Sequence, residues 1–330
     1  MPRPNPIAGY EDWPAAVRSA EPFIGADSAA AVLGRVLGLR RLGDRPTVFD
    51  DGSRRLDGIL IRRLRWSVGY GPETTAWLLR PAGVRRRLPG VLGLHCHGGV
   101  RSVGAEQLVD LGFDSHPRAV WLRDQYYSGR APANELARQG YGVLVHDTFS
   151  WGSRRFDLSR PTPRLAALME AQDALWRQQG LSPTEEERFD LASGLHEDTL
   201  AKAAGALGQT FAGAVLTDDL VAFEVLRATD GIDPERLGTF GFSGGGGRSL
   251  LLAALDHRVA ACVVCCMMAT FASQVLREAG VTCHEYTLTT EGALAALAPH
   301  SLTTSVGTRS RPDRTDSMAR SRSCIRNRRP

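Results

Sequence analysis

The residue best placed to do chemistry in this sequence is a serine. Gly241-Phe242-Ser243-Gly244-Gly245 has the form G-x-S-x-G. A serine hydroxyl can be presented to an electrophilic carbon at a sharp strand-to-helix corner, provided its neighbours carry no Cβ to clash in the turn. The flanks have those properties, since "RLGTFGF" reads as an apolar strand and "GGGRSLLLAAL" as an apolar helix. The amide after the serine would open that helix and donate to a developing oxyanion, helped by the helix dipole. A glycine-rich phosphate loop is the alternative reading. It would carry a lysine or G-x-G-x-x-G spacing near the start of a βαβ unit.

A second oxyanion donor is expected from the loop after an earlier strand. "LHCHGGVRS" supplies a buried strand ending at His95, followed by His97-Gly98-Gly99. The glycines would let backbone N–H groups approach a substrate oxygen. His95 and His97 could also be read as an H-x-H metal pair, because residues i and i+2 of a strand share a face. No carboxylate or third histidine lies close in sequence, so the oxyanion loop is the preferred reading and no metal is expected. Cys262 and Cys265 have C-x-x-C spacing, but residues three apart in a strand face opposite ways and no second pair follows. They read as buried strand cysteines in a reducing compartment.

These residues need a scaffold of strands and helices. "RRLDGILIRRLRWSV" alternates apolar and basic side chains, as a half-exposed strand does, and "TTAWLLRP" reads as its neighbour. "PGVLGLHCHGG", the end of "NELARQGYGVLVHD", "LGTFGF" and "VAACVVCC" read as buried strands. "AVLTDDLVAFEVLRA" reads as an amphipathic helix, and "SPTEEERF" as a helix start capped by Ser182. Strands alternating with helices imply a doubly wound, mostly parallel α/β sheet with helices on both faces.

At this point the chain resembles a known family. "LHCHGG", "RDQYYSGRAPANELARQGYGVLVHDTFSWGSRRF" and "DPERLGTFGFSGGGGRSLLLAALDHRVAACVV" are similar to consecutive signatures of the α/β-hydrolase superfamily. Within it they resemble bacterial esterases of the acetyl xylan esterase and dienelactone hydrolase kind. The resemblance covers residues 50 to 285. It implies Ser243 as nucleophile, an oxyanion hole from Gly244 with Gly98 and Gly99, and a substrate cleft lined by His97, Asp147 and Trp151. It also implies a serine-dependent carboxylic ester hydrolase working through an acyl-enzyme on small-molecule or carbohydrate esters, with no cofactor. Asp147 reads equally as a polar strand end bonded to nearby backbone. The organisation expected is an N-terminal helical segment at 1–50, a core at 51–289 with a helical cap at 157–208, and an Arg/Ser/Thr-rich tail at 290–330.

The resemblance breaks after the serine. A triad of this fold runs Ser, then Asp or Glu, then His on loops after later strands. His257 precedes a strand at the end opposite the site, and only Glu278, His284 and His300 are formal candidates beyond it. From about Thr290 the chain shows no apolar strand pattern, so the fold is expected to lack its last strands, with "VAACVVCC" left as a sheet edge. A shifted reading frame in a GC-rich gene would produce such an end; the chain has 39 arginines and one lysine. The alternative function is therefore a catalytically impaired or truncated relative lacking the triad acid and histidine.

Composition excludes other classes. The net charge of +4 arises in the last 30 residues, where eight arginines against two aspartates give +6, leaving −2 for residues 1–300. Such a body carries no electrostatic footprint for nucleic acid. No apolar run reaches membrane-spanning length, and the first residues lack a signal-peptide core, so a cytoplasmic location is expected. The oligomeric state is not legible.

Overall fold

A sheet of seven strands forms the centre of the computed structural model, which describes residues 29–39 and 45–266. In chain order the strands are β1 (Phe49–Leu56), β2 (Ile59–Trp66), β3 (Thr74–Pro81), β4 (Leu88–Leu94), β5 (Gly142–His146), β6 (Ile232–Phe242) and β7 (Val259–Cys265). Their spatial order is β1-β2-β3-β5-β4-β6-β7. The first three strands and the β3–β5 pair are antiparallel, whereas β5, β4, β6 and β7 run parallel. The sheet is thus parallel from β5 to β7, as the alternation of strands and helices predicts.

The single strand expected over residues 54–68 is instead a hairpin. Asp57 (φ 47°) and Gly58 (φ 77°) both take the left-handed conformation of a two-residue turn whose twist matches the flanking strands. The Asp-Gly pair carried that signal, and the apolar-basic alternation masked it. Beyond the turn the alternation holds in β2, with Ile59, Ile61, Leu64 and Trp66 buried.

Helices cover both faces. On one lie α1 (Ala29–Leu37), α6 (Phe211–Arg227) and α7 (Gly244–Leu255), packed through Leu37, Phe223, Leu226 and Leu252 against Trp66, Leu92 and Leu94. On the other, α3 (Pro132–Arg138) places Ala133 and Ala137 against Ile59, Leu79, Val143 and Val145. Each fully buried large apolar side chain contributes about 1.5–3 kcal/mol. The remaining helices are α2 (Pro117–Tyr126), α4 (Pro163–Gln178) and α5 (Glu185–Ala206). The last two make up most of residues 157–208 and share a small core of Leu165, Met169, Trp176 and Ala192.

Two local expectations are corrected. The cap of α5 is Thr184, not Ser182. Its hydroxyl accepts the Glu187 amide while the Glu187 carboxylate accepts the Thr184 amide. Strand β7 is not buried on both faces. It ends the strand order among the described residues, with Val259 buried but Val263 52% exposed. Cys262 is accordingly half-buried, and Cys265 and Cys266 are exposed rather than core residues.

Candidate active site

Ser243 is the corner between β6 and α7, with φ 54° and ψ −123°. A non-glycine residue held there costs on the order of 1–3 kcal/mol and persists only where its surroundings fix it. Those surroundings are explicit. The Ser243 amide donates to the Cys265 carbonyl of β7 at 2.8 Å, and the Ser243 carbonyl accepts from Gly247 at 3.1 Å. A Cβ on Gly241 would overlap the Gly245 backbone, and one on Gly245 would overlap the carbonyl oxygen of Leu94. The glycines that define the motif are therefore the ones that let helix and strand cross this closely.

That crossing sets the serine beside the next loop. Gly241 pairs with Leu94 across β6 and β4, so Ser243 and the His95–Gly99 segment leave the same carboxyl edge of the sheet. Parallel α/β sheets bind ligands at that edge. Gly244 is the first residue of α7, where amides have no intrahelical acceptor. Gly98 (φ 63°) and Gly99 (φ 66°) are both left-handed. A Cβ on Gly98 would stand 2.9 Å from Leu122, whereas Gly99 is open. The Gly99 amide is not idle: it donates to Nδ1 of His97 at 3.0 Å.

His97 belongs to a cluster reaching across to the cap. Its Nε2 lies 3.5 Å from Oε2 of Glu197 on α5, and the same oxygen accepts from Nη2 of Arg101 at 2.6 Å. Arg101 is buried, stacks 3.8 Å from the Trp151 ring, and bonds Ser150. Seven residues before Glu197, the buried Asp190 accepts the amides of Arg101 and Ser102 at 2.8 and 2.9 Å and the Arg118 guanidinium at 3.1 Å. Helix α5 therefore holds the loop after β4 through two buried carboxylates. Nothing in the sequence pairs positions a hundred residues apart, and this contact was not expected.

Trp151 is buried beneath that loop, edge-on to His95 and His97, and its Nε1 donates to the His97 carbonyl at 3.4 Å. Asp147 is also buried. Its carboxylate accepts the amides of Ala105 and Ser153, each at 2.7 Å, which ties the loop after β5 to the loop after β4. Burial raises this carboxyl above its ordinary value, partly offset by those amides. A cavity of about 470 Å³ lies between the two loops and is lined by Ser102, Glu106, Asp147, Ser153 and Arg155, among others.

A further buried network supports the corner from behind. Arg248 on α7 bonds both oxygens of Asp219 on α6, and donates to the His95 carbonyl at 3.0 Å. His146 at the end of β5 lies 3.0 Å from the same aspartate. Burial opposes it, but Arg248 and His146 hold the Asp219 carboxyl well below the usual carboxylate range. The acidic pair inside the otherwise apolar "AVLTDDLVAF" was the only sequence signal for this network.

Among the described residues no side chain hydrogen-bonds the Ser243 hydroxyl, and no group of three or more His, Cys, Asp or Glu is placed to hold a metal. His95 instead turns Nδ1 toward the Cys96 carbonyl at 3.0 Å. Glu278, His284 and His300, the expected loss of the last strands and the tail at 290–330 lie outside the described residues. No helix among those described is long and apolar enough to cross a membrane.

Strand order, helical layers and the serine corner together define an α/β-hydrolase fold, the fold that the sequence resemblance implies. One solved structure shares that fold. No family model matches the chain. A Bacillus subtilis (strain 168) protein named "Putative hydrolase YtaP" is 26% identical over 207 residues, 63% of this chain and 52% of that protein. The chain thus spans about half the length of that relative. The crystal structure of a "putative acetyl xylan esterase" from Bacteroides fragilis NCTC 9343 superposes with a TM-score of 0.63 at 15% identity, covering 90% of this chain and 74% of the other. Acetyl Xylan Esterase 1 from Thermoanaerobacterium sp. JW/SL YS485 gives a TM-score of 0.43 at 19% identity, covering 71% of this chain and 56% of that one.

Proposed function

We propose that this chain is a serine-dependent carboxylic ester hydrolase, acting on small-molecule or carbohydrate esters such as acetates. The observation that carries the reading is the conformation of Ser243: a strained, left-handed serine fixed at a strand–helix corner by its glycine neighbours and by Cys265. Strain of this kind is retained at functional sites, where it presents a group that regular structure would bury. The names of the esterase and hydrolase relatives favour the same chemistry.

In this reading the Ser243 oxygen adds to the ester carbonyl carbon, and its proton passes to a base. The carbonyl oxygen takes up negative charge beside the Gly244 amide and the Gly98–Gly99 backbone. The C–O bond to the alcohol then breaks, the alcohol leaves with a proton, and water hydrolyses the acyl-serine. A cytoplasmic location belongs to the same reading.

A second reading rests on the Ser243 hydroxyl, which has no hydrogen-bonded base among the described residues. A serine without a base is a poor nucleophile at neutral pH, so a catalytically impaired relative would retain the corner without the reaction. Labelling the full chain with a fluorophosphonate probe beside Ser243→Ala separates the two. Rapid labelling lost in the variant supports the esterase. A folded chain that does not label overturns it in favour of the impaired relative.

A further inference from the structure

The cap helix meets the proposed oxyanion loop through one imidazole. His97 accepts the Gly99 amide on Nδ1 at 3.0 Å, which requires that nitrogen to be unprotonated. The proton of a neutral ring then sits on Nε2, which faces Glu197 Oε2 at 3.5 Å and stands 3.4 Å from Nη2 of Arg101, a second donor to that same oxygen. The Glu197 carboxylate is buried and already fixed by Arg101 at 2.6 Å. The ring itself is braced edge-on by Trp151, with centroids 5.4 Å apart and planes at 84°. Glu197 and Trp151, which face the ring from the cap and from beneath the loop, are both buried.

The geometry points to Glu197 as a positioning residue for the oxyanion loop. Acting through His97, it selects the ring tautomer whose Nδ1 holds the Gly99 amide and keeps Gly98 and Gly99 in their left-handed bend. The Gly99 N–H is thereby kept oriented until an acyl oxygen replaces the imidazole as its acceptor. This assignment rests on the ester-hydrolase reading for its chemical meaning, but the loop and ring geometry are measurable without turnover.

The test combines three variants of the full chain. Glu197→Gln replaces the carboxylate with a neutral amide. Arg101, which only donates, keeps the amide oxygen toward Nε2, so the acceptor of the Nε2 proton is weakened rather than removed. His97→Ala removes the acceptor while leaving the Arg101–Glu197 pair intact, so it reports on the loop even if Glu197→Gln folds poorly. The double variant closes the cycle. In wild type, imidazole ¹⁵N spectra should show Nδ1 as the unprotonated nitrogen of His97, and Glu197→Gln should shift the tautomer balance toward a protonated Nδ1. Hydrogen exchange of residues 97–104 should quicken in each single variant, with the double no faster than His97→Ala alone. Fluorophosphonate labelling should slow roughly 10- to 100-fold in Glu197→Gln, as expected when donors at a reacting centre lose their placement.

An unchanged ring signature and unchanged loop exchange in Glu197→Gln would overturn the assignment. So would additive exchange in the double variant, because Glu197 would then act on the loop through Arg101 rather than His97. If wild type does not label while the ring and exchange results hold, the ester-hydrolase reading fails and the positioning of the loop stands.

Discussion

Arg248 and Asp219 form a buried, two-pronged ion pair, Nε to Oδ2 at 2.9 Å and Nη2 to Oδ1 at 2.5 Å. It joins α7, which begins at the Ser243 corner, to α6 on the same face of the sheet. The third bond of Arg248, to the His95 carbonyl, carries the connection into the loop after β4.

Breaking that pair from one side should be costly. Arg248→Met leaves the Asp219 carboxylate buried with only His146 beside it, and Asp219→Leu leaves a buried guanidinium. Each should lower stability by about 3–5 kcal/mol, and removing both partners together should cost less than the sum of the two. Urea unfolding of the three variants, followed by circular dichroism, measures this.

The glycines near the serine should separate into two classes. Gly245→Ala drives a Cβ into the Leu94 carbonyl, a backbone group that cannot swing aside. It should lose about 3 kcal/mol or more, or fail to fold. Gly99→Ala meets nothing within 4 Å, and its cost is the left-handed φ of 66° alone, about 1–2 kcal/mol. Melting temperatures of the two variants, recorded side by side, check the ranking.

Stability should fall as the medium is acidified below about pH 6.5. Burial, followed by the charge of Arg248, holds His95 well below the ordinary imidazole value. Burial likewise lowers His146 against the pull of Asp219. Between the ordinary value and those lowered ones, the unfolded chain binds protons that the native rings refuse. The native state therefore loses ground as pH drops, by up to about 1.4 kcal/mol per pH unit for each ring. The Asp218 carboxyl, raised by burial to about 7, opposes this as a single group, so two rings against one carboxyl leave a net fall. Urea midpoints from pH 5 to pH 8 should show this slope, and His95→Gln should flatten it. A midpoint that rose on acidification would contradict the assignment.

Asp147 offers a clean distinction between a reacting group and an anchor. It accepts two loop amides at 2.7 Å, and Asp147→Asn turns one acceptor into a donor facing an amide. If it is an anchor, stability should drop by about 1–3 kcal/mol while the folded fraction keeps most of its Ser243 labelling rate. Labelling lost at unchanged stability would instead place Asp147 in the chemistry.

Legibility in the sequence followed the range of the interaction. The serine corner was readable because its requirements are local: a strand, glycines at fixed offsets and a helix within fifteen residues. The parallel strands were readable as short apolar runs. The Asp57–Gly58 turn was present in the sequence but outweighed by a longer alternation. Ser182 with Glu185 and Thr184 with Glu187 offer the same capping pattern two residues apart, of which the second forms. The grip of Glu197 and Asp190 on the loop after β4 was not readable. It depends on how the cap lies on the sheet, and two carboxylates on a polar helix look the same in sequence whether they face solvent or a buried arginine.

The hydrogen bond from Ser243 to Cys265 also has a kinetic meaning. Parallel pairing between β6 and β7 joins segments separated by a whole helix, and such contacts form slowly because a loop must close first. That loop is shorter than those closed by the β4–β5 and β4–β6 pairs, but the serine corner reaches its final shape only when β7 docks. The reverse holds as well: a transient departure of β7 releases the amide that fixes the serine while the inner strands stay paired. Native-state exchange should find the corner opening together with β7, as one unit less stable than the β4–β5 centre. The serine corner and the edge strand beside it would thus share a single lifetime.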